Sequence, residues 1–210
     1  MSKAEFPYDL SDRAIELLLS KLAKRLSALK SRLSVLNFDE INSLRNISRF
    51  YADIDKDNQR AFLELAQQVY SRAEPHGNKK PDEDWLIEYI LTFPCPATKY
   101  IYENETLRKR DRAIEAVNST FGRNQKLNEI TKHAKYWQAQ TEYYSDYTAD
   151  EALKKAYIDG GVNKVKWVTE RDNKVCSECA ALDGKIFDIK DVPDKPHVRC
   201  RCRIVPYIET

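Results

Sequence analysis

The feature that most constrains this chain is where it keeps its cysteines. Of the five cysteines in 210 residues, Cys176, Cys179, Cys200 and Cys202 crowd into the last stretch, with His197 beside the second pair. The pattern is Cys176-x-x-Cys179, a long gap, then His197-x-x-Cys200-x-Cys202. A tetrahedral zinc site takes four nitrogen or sulfur donors. A Cys-x-x-Cys turn offers two from one knuckle, and residues 200 and 202 of a strand project to the same side. Alternatively His197 and Cys200 complete the set and Cys202 packs nearby. Five donors for four positions leave one spare. The competing reading is reduced thiols without a metal. A zinc held here would be structural, because a filled Cys/His shell leaves no position open to water or substrate. It would staple together a unit too small to build a large core.

The thiol reading depends on compartment. No apolar run approaches the length of a membrane span, and the N-terminus lacks the apolar centre of a signal peptide. The chain is therefore expected in the cytosol, at least initially, where thiols stay reduced and clustered cysteines read first as metal ligands. Lys and Arg number 35 against 33 Asp and Glu, a net charge of +2. That balance argues against a globally basic nucleic-acid coat and leaves room only for local basic faces. Hydrophobic residues reach 42%, enough for a core, and only 5 glycines disfavour Gly-rich phosphate loops and β-barrels.

The chain before the cysteines reads as helix. Ile15, Leu19, Leu22, Leu26, Leu29, Leu33 and Leu36 recur at a 3.5-residue period, which predicts a long coiled-coil-like helix with a seam for docking or self-association through residues 15–36. Lys21, Lys24, Arg25, Lys30 and Arg32 decorate it without an intervening acid: a solvated face, or a contact for an acidic partner or DNA. Asp39 can cap a second helix with Ile41, Leu44, Ser48 and Tyr51 on one face. A polar interruption at 53–58 separates it from a stripe of Phe62, Leu65, Ala66, Val69 and Tyr70. A loop over 74–81 precedes a helix carrying Trp85, Leu86, Tyr89, Ile90 and Phe93. Another helix from Thr98 includes Ile101, Leu107, Ile114, Val117 and Phe121, with Gly122 as C-cap. Leu127, Ile130, Ala134 and Trp137 mark the next, and Thr148 with Glu151 forms a capping box opening a last helix that stops at Gly160-Gly161. Val162, Val165, Trp167, Val168 and Thr169 then favour a strand, Asp183-Gly184 a turn, and Arg203, Ile204, Val205 and Tyr207 a final strand. The fold class expected is α+β: a mostly helical region over 1–147 and a small C-terminal α+β unit over 148–210.

Three other constellations compete for function. Arg199, Arg201 and Arg203 alternate with the cysteines and offer either a solvated strand face or a stripe for DNA or an acidic partner. Asp53, Asp55, Asp57 and Asn58, followed by Glu64, match the oxygen spacing of a calcium loop, but Asn58 replaces the turn glycine, and an acidic helix N-terminus capped by Asp55 or Asp57 is the favoured reading. Cys95 between two prolines reads as a lone structural thiol, and His76 and His133 lack any nucleophile pattern. No phosphate loop, nucleophile elbow or acid/base pair marks an enzyme.

The C-terminal motifs carry a resemblance. Trp167-Val-Thr-Glu-Arg-Asp172, Cys176-x-x-Cys179, Leu182-Asp-Gly184, Pro196-His197-x-x-Cys200-Arg201-Cys202 and Pro206, led in by Ala156 and Gly160-Gly161, are similar to the signature of the MuF-type head morphogenesis family, the minor head proteins of bacteriophages. The sequence departs from that pattern at Lys195, which stands where a doubled proline is usual, and at Val198. The resemblance implies a structural protein of the virion, at the portal vertex or capsid interior, acting in procapsid assembly and in DNA packaging or ejection, and not an enzyme. The residues it carries over are Trp167, Asp172, Cys176, Cys179, Leu182, Gly184, His197, Cys200, Arg201 and Cys202. Some relatives append toxin domains; with Thr210 only eight residues past Cys202, none is expected here. The alternative function is a zinc-stabilised nucleic-acid-binding protein.

Overall fold

A computed structural model describes residues 6–35, 40–73, 84, 107–170, 172–197 and 199–207. The expected features at Leu36, Phe38, Asp39, His76, the 85–93 helix, Cys95 and Ile101 lie outside them.

Helix α1 (Tyr8–Val35) starts directly after Pro7, whose carbonyl accepts from Leu10 at 3.1 Å and Ser11 at 3.3 Å. Asp9 in its first turn and Arg32 in its last complement the helix dipole. Its seam is real but faces inward. Ile15, Leu18, Leu22, Leu29 and Leu33 are buried, and Leu26 is partly so. Leu18 rather than Leu19 carries the second position, because the burial follows the 3.6-residue turn of a helix in a globular core. The seam packs on α2 (Glu40–Arg72) and on α4 (Arg123–Asp159), so the expectation that it is a docking or self-association surface is corrected: its partners are the chain's own helices.

Helix α2 is one helix of 33 residues, not two. The polar stretch at 53–58 does not interrupt it, because Asp53 and Asp57, one turn apart, both reach Arg25 of α1, at 2.9 and 2.5 Å. Lys21 adds a third contact, 3.7 Å from Asp57. Neither a calcium loop nor an N-terminal cap exists at these acids. The buried face in the first half of α2 is Ile47, Phe50, Tyr51 and Ile54, while Ile41 and Leu44 are exposed. Phe62, Leu65, Ala66, Val69 and Tyr70 are buried as the stripe predicts.

Short α3 (Leu107–Ser119) packs on α2 and α4 through Ala113 and Val117. Gly122, at φ 86°, joins α3 to α4 and caps the start of α4 rather than the end of α3; Phe121 beside it is 88% exposed, not core. Helix α4 has 37 residues, about 55 Å at 1.5 Å each. Ile130, Ala134 and Trp137 are buried, and His133 is partly buried 3.8 Å from Glu129. Thr148 lies inside α4, so the capping box is a coincidence of residue types: the helix began a long way upstream. It ends as the two glycines require. Gly161 takes φ 80°, its N–H donates to Ile158 O at 3.0 Å, and Val162 N–H donates to Tyr157 O at 2.9 Å, the paired bonds of a Schellman stop.

The C-terminal unit follows. Strand β1 (Lys164–Val168) lies between β2 (Ile186–Asp188) and β3 (Arg203–Pro206), and both pairings are antiparallel. Val165 opposes Phe187 on one side and Pro206 on the other, and Trp167 opposes Ile204. Alternation in β1 buries Val165 and Trp167, which join one core with Ala149, Ala152, Leu153 and Ala156 of α4. Helix α5 (Ser177–Leu182) fills the β1–β2 connection, and a 3-10 turn (Ile189–Asp191) follows β2. The architecture is α+β, as expected. Among the described residues, no helix is long and apolar enough to cross a membrane.

Candidate metal centre

All five expected donors come together. Cys176 sits just before α5, and its sulfur accepts from Cys179 N–H at 3.4 Å, so the Cys-x-x-Cys knuckle is a helix N-terminus. Cys179, inside α5, is the hub. Its sulfur lies 3.4 Å from His197 Nε2 and 3.5 Å from Cys200 Sγ. Cys176, Cys179 and His197 form one triad of donors within 4.8 Å of one another, and Cys179, Cys200 and Cys202 form a second. Cys179 is common to both. Zinc–donor lengths of 2.0–2.3 Å give tetrahedron edges of about 3.3–3.8 Å. The Cys179 contacts fall in that range, and a set of soft thiolates with an imidazole suits zinc. The residues therefore fit a metal ion.

The thiols are unequal. The N–H of Cys179 holds the Cys176 thiol below its ordinary value. Burial pushes the Cys179 thiol well up, and the surrounding sulfurs push it further. Burial also raises Cys202. Trp167 Nε1 is buried without a hydrogen-bond partner. Three thiols are buried and Cys176 is partly exposed, beside a surface hollow that Glu170, Lys174 and Arg201 border.

The other motif residues frame this cluster. Gly184 at φ 77° turns the chain so that its N–H donates to Trp167 O at 2.9 Å. Asp183 Oδ1 accepts from Thr169 N–H at 2.9 Å, and Leu182 packs partly buried on the core. Asp172 receives Arg201 at 2.7 Å and Lys174 N–H at 2.9 Å; the Arg201 bond holds its carboxyl below the usual range. Arg203 lies 3.6 Å from Glu170. Arg199 takes φ 60° and turns the other way, 2.8 Å from Asp12 of α1. Cys200 and Cys202 precede β3 instead of lying on it, so the three arginines do not share one strand face.

Sequence reasoning missed the clasp behind the cluster. Tyr8 Oη lies 2.7 Å from Asp150 Oδ1 and 2.8 Å from Cys202 O. Burial, reinforced by Asp146, raises Asp150 well above the carboxylate range. The single Tyr8 hydroxyl proton is shared between two acceptors, the Asp150 carboxyl and the Cys202 carbonyl. Ser11 donates to Asp146 at 2.5 Å. Lys195 Nζ reaches Asp150 Oδ2 at 3.0 Å and Cys200 O at 3.3 Å, and lies 3.7 Å over the Tyr8 ring. Burial pulls Lys195 down to about 7, and the nearby Cys200 and Cys202 thiols oppose that pull. The sole sequence signal was the pairing of Asp146 and Asp150 one turn apart; nothing local links them to Tyr8.

The family model described as Phage Mu protein F like protein matches residues 103–205, a span that takes in α3, α4 and nearly all of the C-terminal unit. No curated protein and no solved structure gives a significant match.

Proposed function

We propose, from the match of residues 103–205 to the Phage Mu protein F like model, that the chain belongs to that family of phage head morphogenesis and is a minor structural protein of the head. It acts at the portal vertex or inner capsid surface during procapsid assembly, with a part in DNA packaging or ejection, and it works by binding other head proteins, not by catalysis. The family match is the observation that carries this reading. Cys176, Cys179, His197, Cys200 and Cys202 supply a structural zinc site, of which four are ligands and Cys179 is obligatory as the member of both triads. Zinc there would tie α5 to the approach to β3. The division at 147/148 is one of role: the helical region reaches partners and the zinc-stapled unit is the rigid anchor, with α4 shared by both.

The test is assembly. Co-expressed with the phage's portal and capsid proteins, the chain should co-purify with the portal and appear in isolated procapsids by mass spectrometry. Failure of both overturns the proposal. The nucleic-acid alternative draws no support from Arg199, Arg201 and Arg203, since each meets one of the chain's own acids.

A further inference from the structure

The far end of the helical bundle from the cysteines carries an unusual surface. Arg123, at the start of α4, donates to the Ser34 carbonyl at the end of α1, which brings the α1 terminus and the α3–α4 joint together. Helix α2 begins at the same end, since its other end meets the clasp pole: Tyr70 bonds Asp159 at 2.6 Å and Arg72 lies 3.9 Å from Asp9. At this tip Val35 is 82%, Ile41 77% and Phe121 88% exposed, with Leu44 beside them at 49%. Half of the large exposed apolar side chains among the described residues therefore gather at one pole.

Charge at the pole is one-sided. The stretches 23–35, 41–52 and 116–128 contain no Asp or Glu, and Asp39 and Glu40 are the acids between the first two. Lys30, Arg32, Arg45 and Arg49 lie in these stretches and make no ion pair among the described residues. Ile41, Arg45 and Arg49 follow one another at four-residue steps along one face of α2. An apolar centre with a cationic border has the anatomy of a protein interface, where buried apolar anchors are surrounded by a polar rim. A phosphate backbone has use for the cations but none for four exposed apolar side chains.

We propose that this tip, with Phe121, Val35, Ile41 and Leu44 at its centre and Lys30, Arg32, Arg45 and Arg49 around it, docks onto an acidic protein surface bearing an apolar hollow. The proposal rests on the head-protein reading and names the region of the chain that meets the head partner. The probe is the portal protein of the same phage, co-expressed with the full chain. One variant replaces the centre, Ile41→Ser with Phe121→Ser; another reverses the border, Arg45→Glu with Arg49→Glu. All four side chains are exposed, so the variants should melt within a few degrees of the parent, with circular dichroism as the check. Each variant should bind the portal at least about tenfold more weakly, and the border variant should also lose salt dependence. Folded variants that bind the portal like the parent overturn the tip assignment and leave the head-protein reading standing. A parent that neither binds the portal nor enters procapsids overturns both. Binding of the parent to duplex DNA, lost in the border variant but kept in the centre variant, also overturns the assignment, in favour of a nucleic-acid surface.

Discussion

Asp55 shows how burial alone can tune one side chain. It lies on α2 with Gln59 donating at 3.1 Å, and desolvation raises it to about 6. Its proton is held more tightly in the folded chain than in the unfolded one. This group's contribution to stability is therefore full below about pH 4 and is lost as pH rises through 6. Asp55→Asn should flatten the pH dependence of the melting temperature between 4 and 6. At pH 7 it should stabilise by up to about 1 kcal/mol, once partial exposure is allowed for. Thr148 offers a second test at this scale. A helix cap replaced by an apolar residue loses about 1 kcal/mol. Thr148 instead sits inside α4, fully buried, its hydroxyl without a partner. Thr148→Val should be neutral or stabilising in denaturant titrations, since it removes an unsatisfied group at nearly constant volume. In the clasp, Tyr8→Phe leaves the Cys202 carbonyl short of a donor and should cost about 1–3 kcal/mol by the same measurement.

At the scale of elements, the C-terminal unit was legible from its sequence and much of the helical region was not. Gly160-Gly161, the strand-forming run around Trp167, the turn at Gly184 and the strand from Arg203 are all local signals, and each lies where its chemistry requires. The helices were harder because their boundaries depend on distant partners. Asp53 and Asp57 resemble a break until Arg25 of α1 is set against them, and Thr148 resembles a cap until α4 is seen to pass through it. The gathering of Cys176, Cys179, His197, Cys200 and Cys202 into one cluster was readable from spacing, whereas the contacts of Tyr8, Ser11 and Lys195 were not, since those join opposite ends of the chain. The two triads lead to a ranking. Cys179→Ser should abolish zinc binding in metal analysis of the purified chain, because Cys179 serves both. Cys176→Ser and Cys202→Ser should each leave a larger share, because each breaks one triad and leaves the other whole. A strong chelator applied to the zinc-loaded chain should alter Trp167 fluorescence while most helical circular dichroism persists, since the bundle is built on its own buried face.

For the molecule as a whole, α4 is the continuous member. Trp137 lies in the bundle core and Ala149, Ala152 and Ala156 lie beneath the sheet, so one helix is shared by both regions. A break in that helix should uncouple them. Pro at Gln140 removes a backbone hydrogen bond and clashes with the preceding turn, a loss of about 3 kcal/mol or more. Limited proteolysis should then cut near the substitution in the variant and not in the parent. Bundle stability itself rests on large buried side chains. Phe62→Ala, at a site with no exposure, should lower unfolding free energy by about 3–5 kcal/mol.

The contact of Tyr8 with Cys202 also sets how the protein meets mechanical force. Tension applied through the two flanks of the described chain converges on that one pole. The load reaches the Tyr8, Ser11 and Asp12 contacts before it reaches any interhelical core, and those few polar bonds open one after another instead of shearing together. The first extension under tension should be peeling of the start of α1 from the cysteine-bearing unit, with the long helices yielding only later.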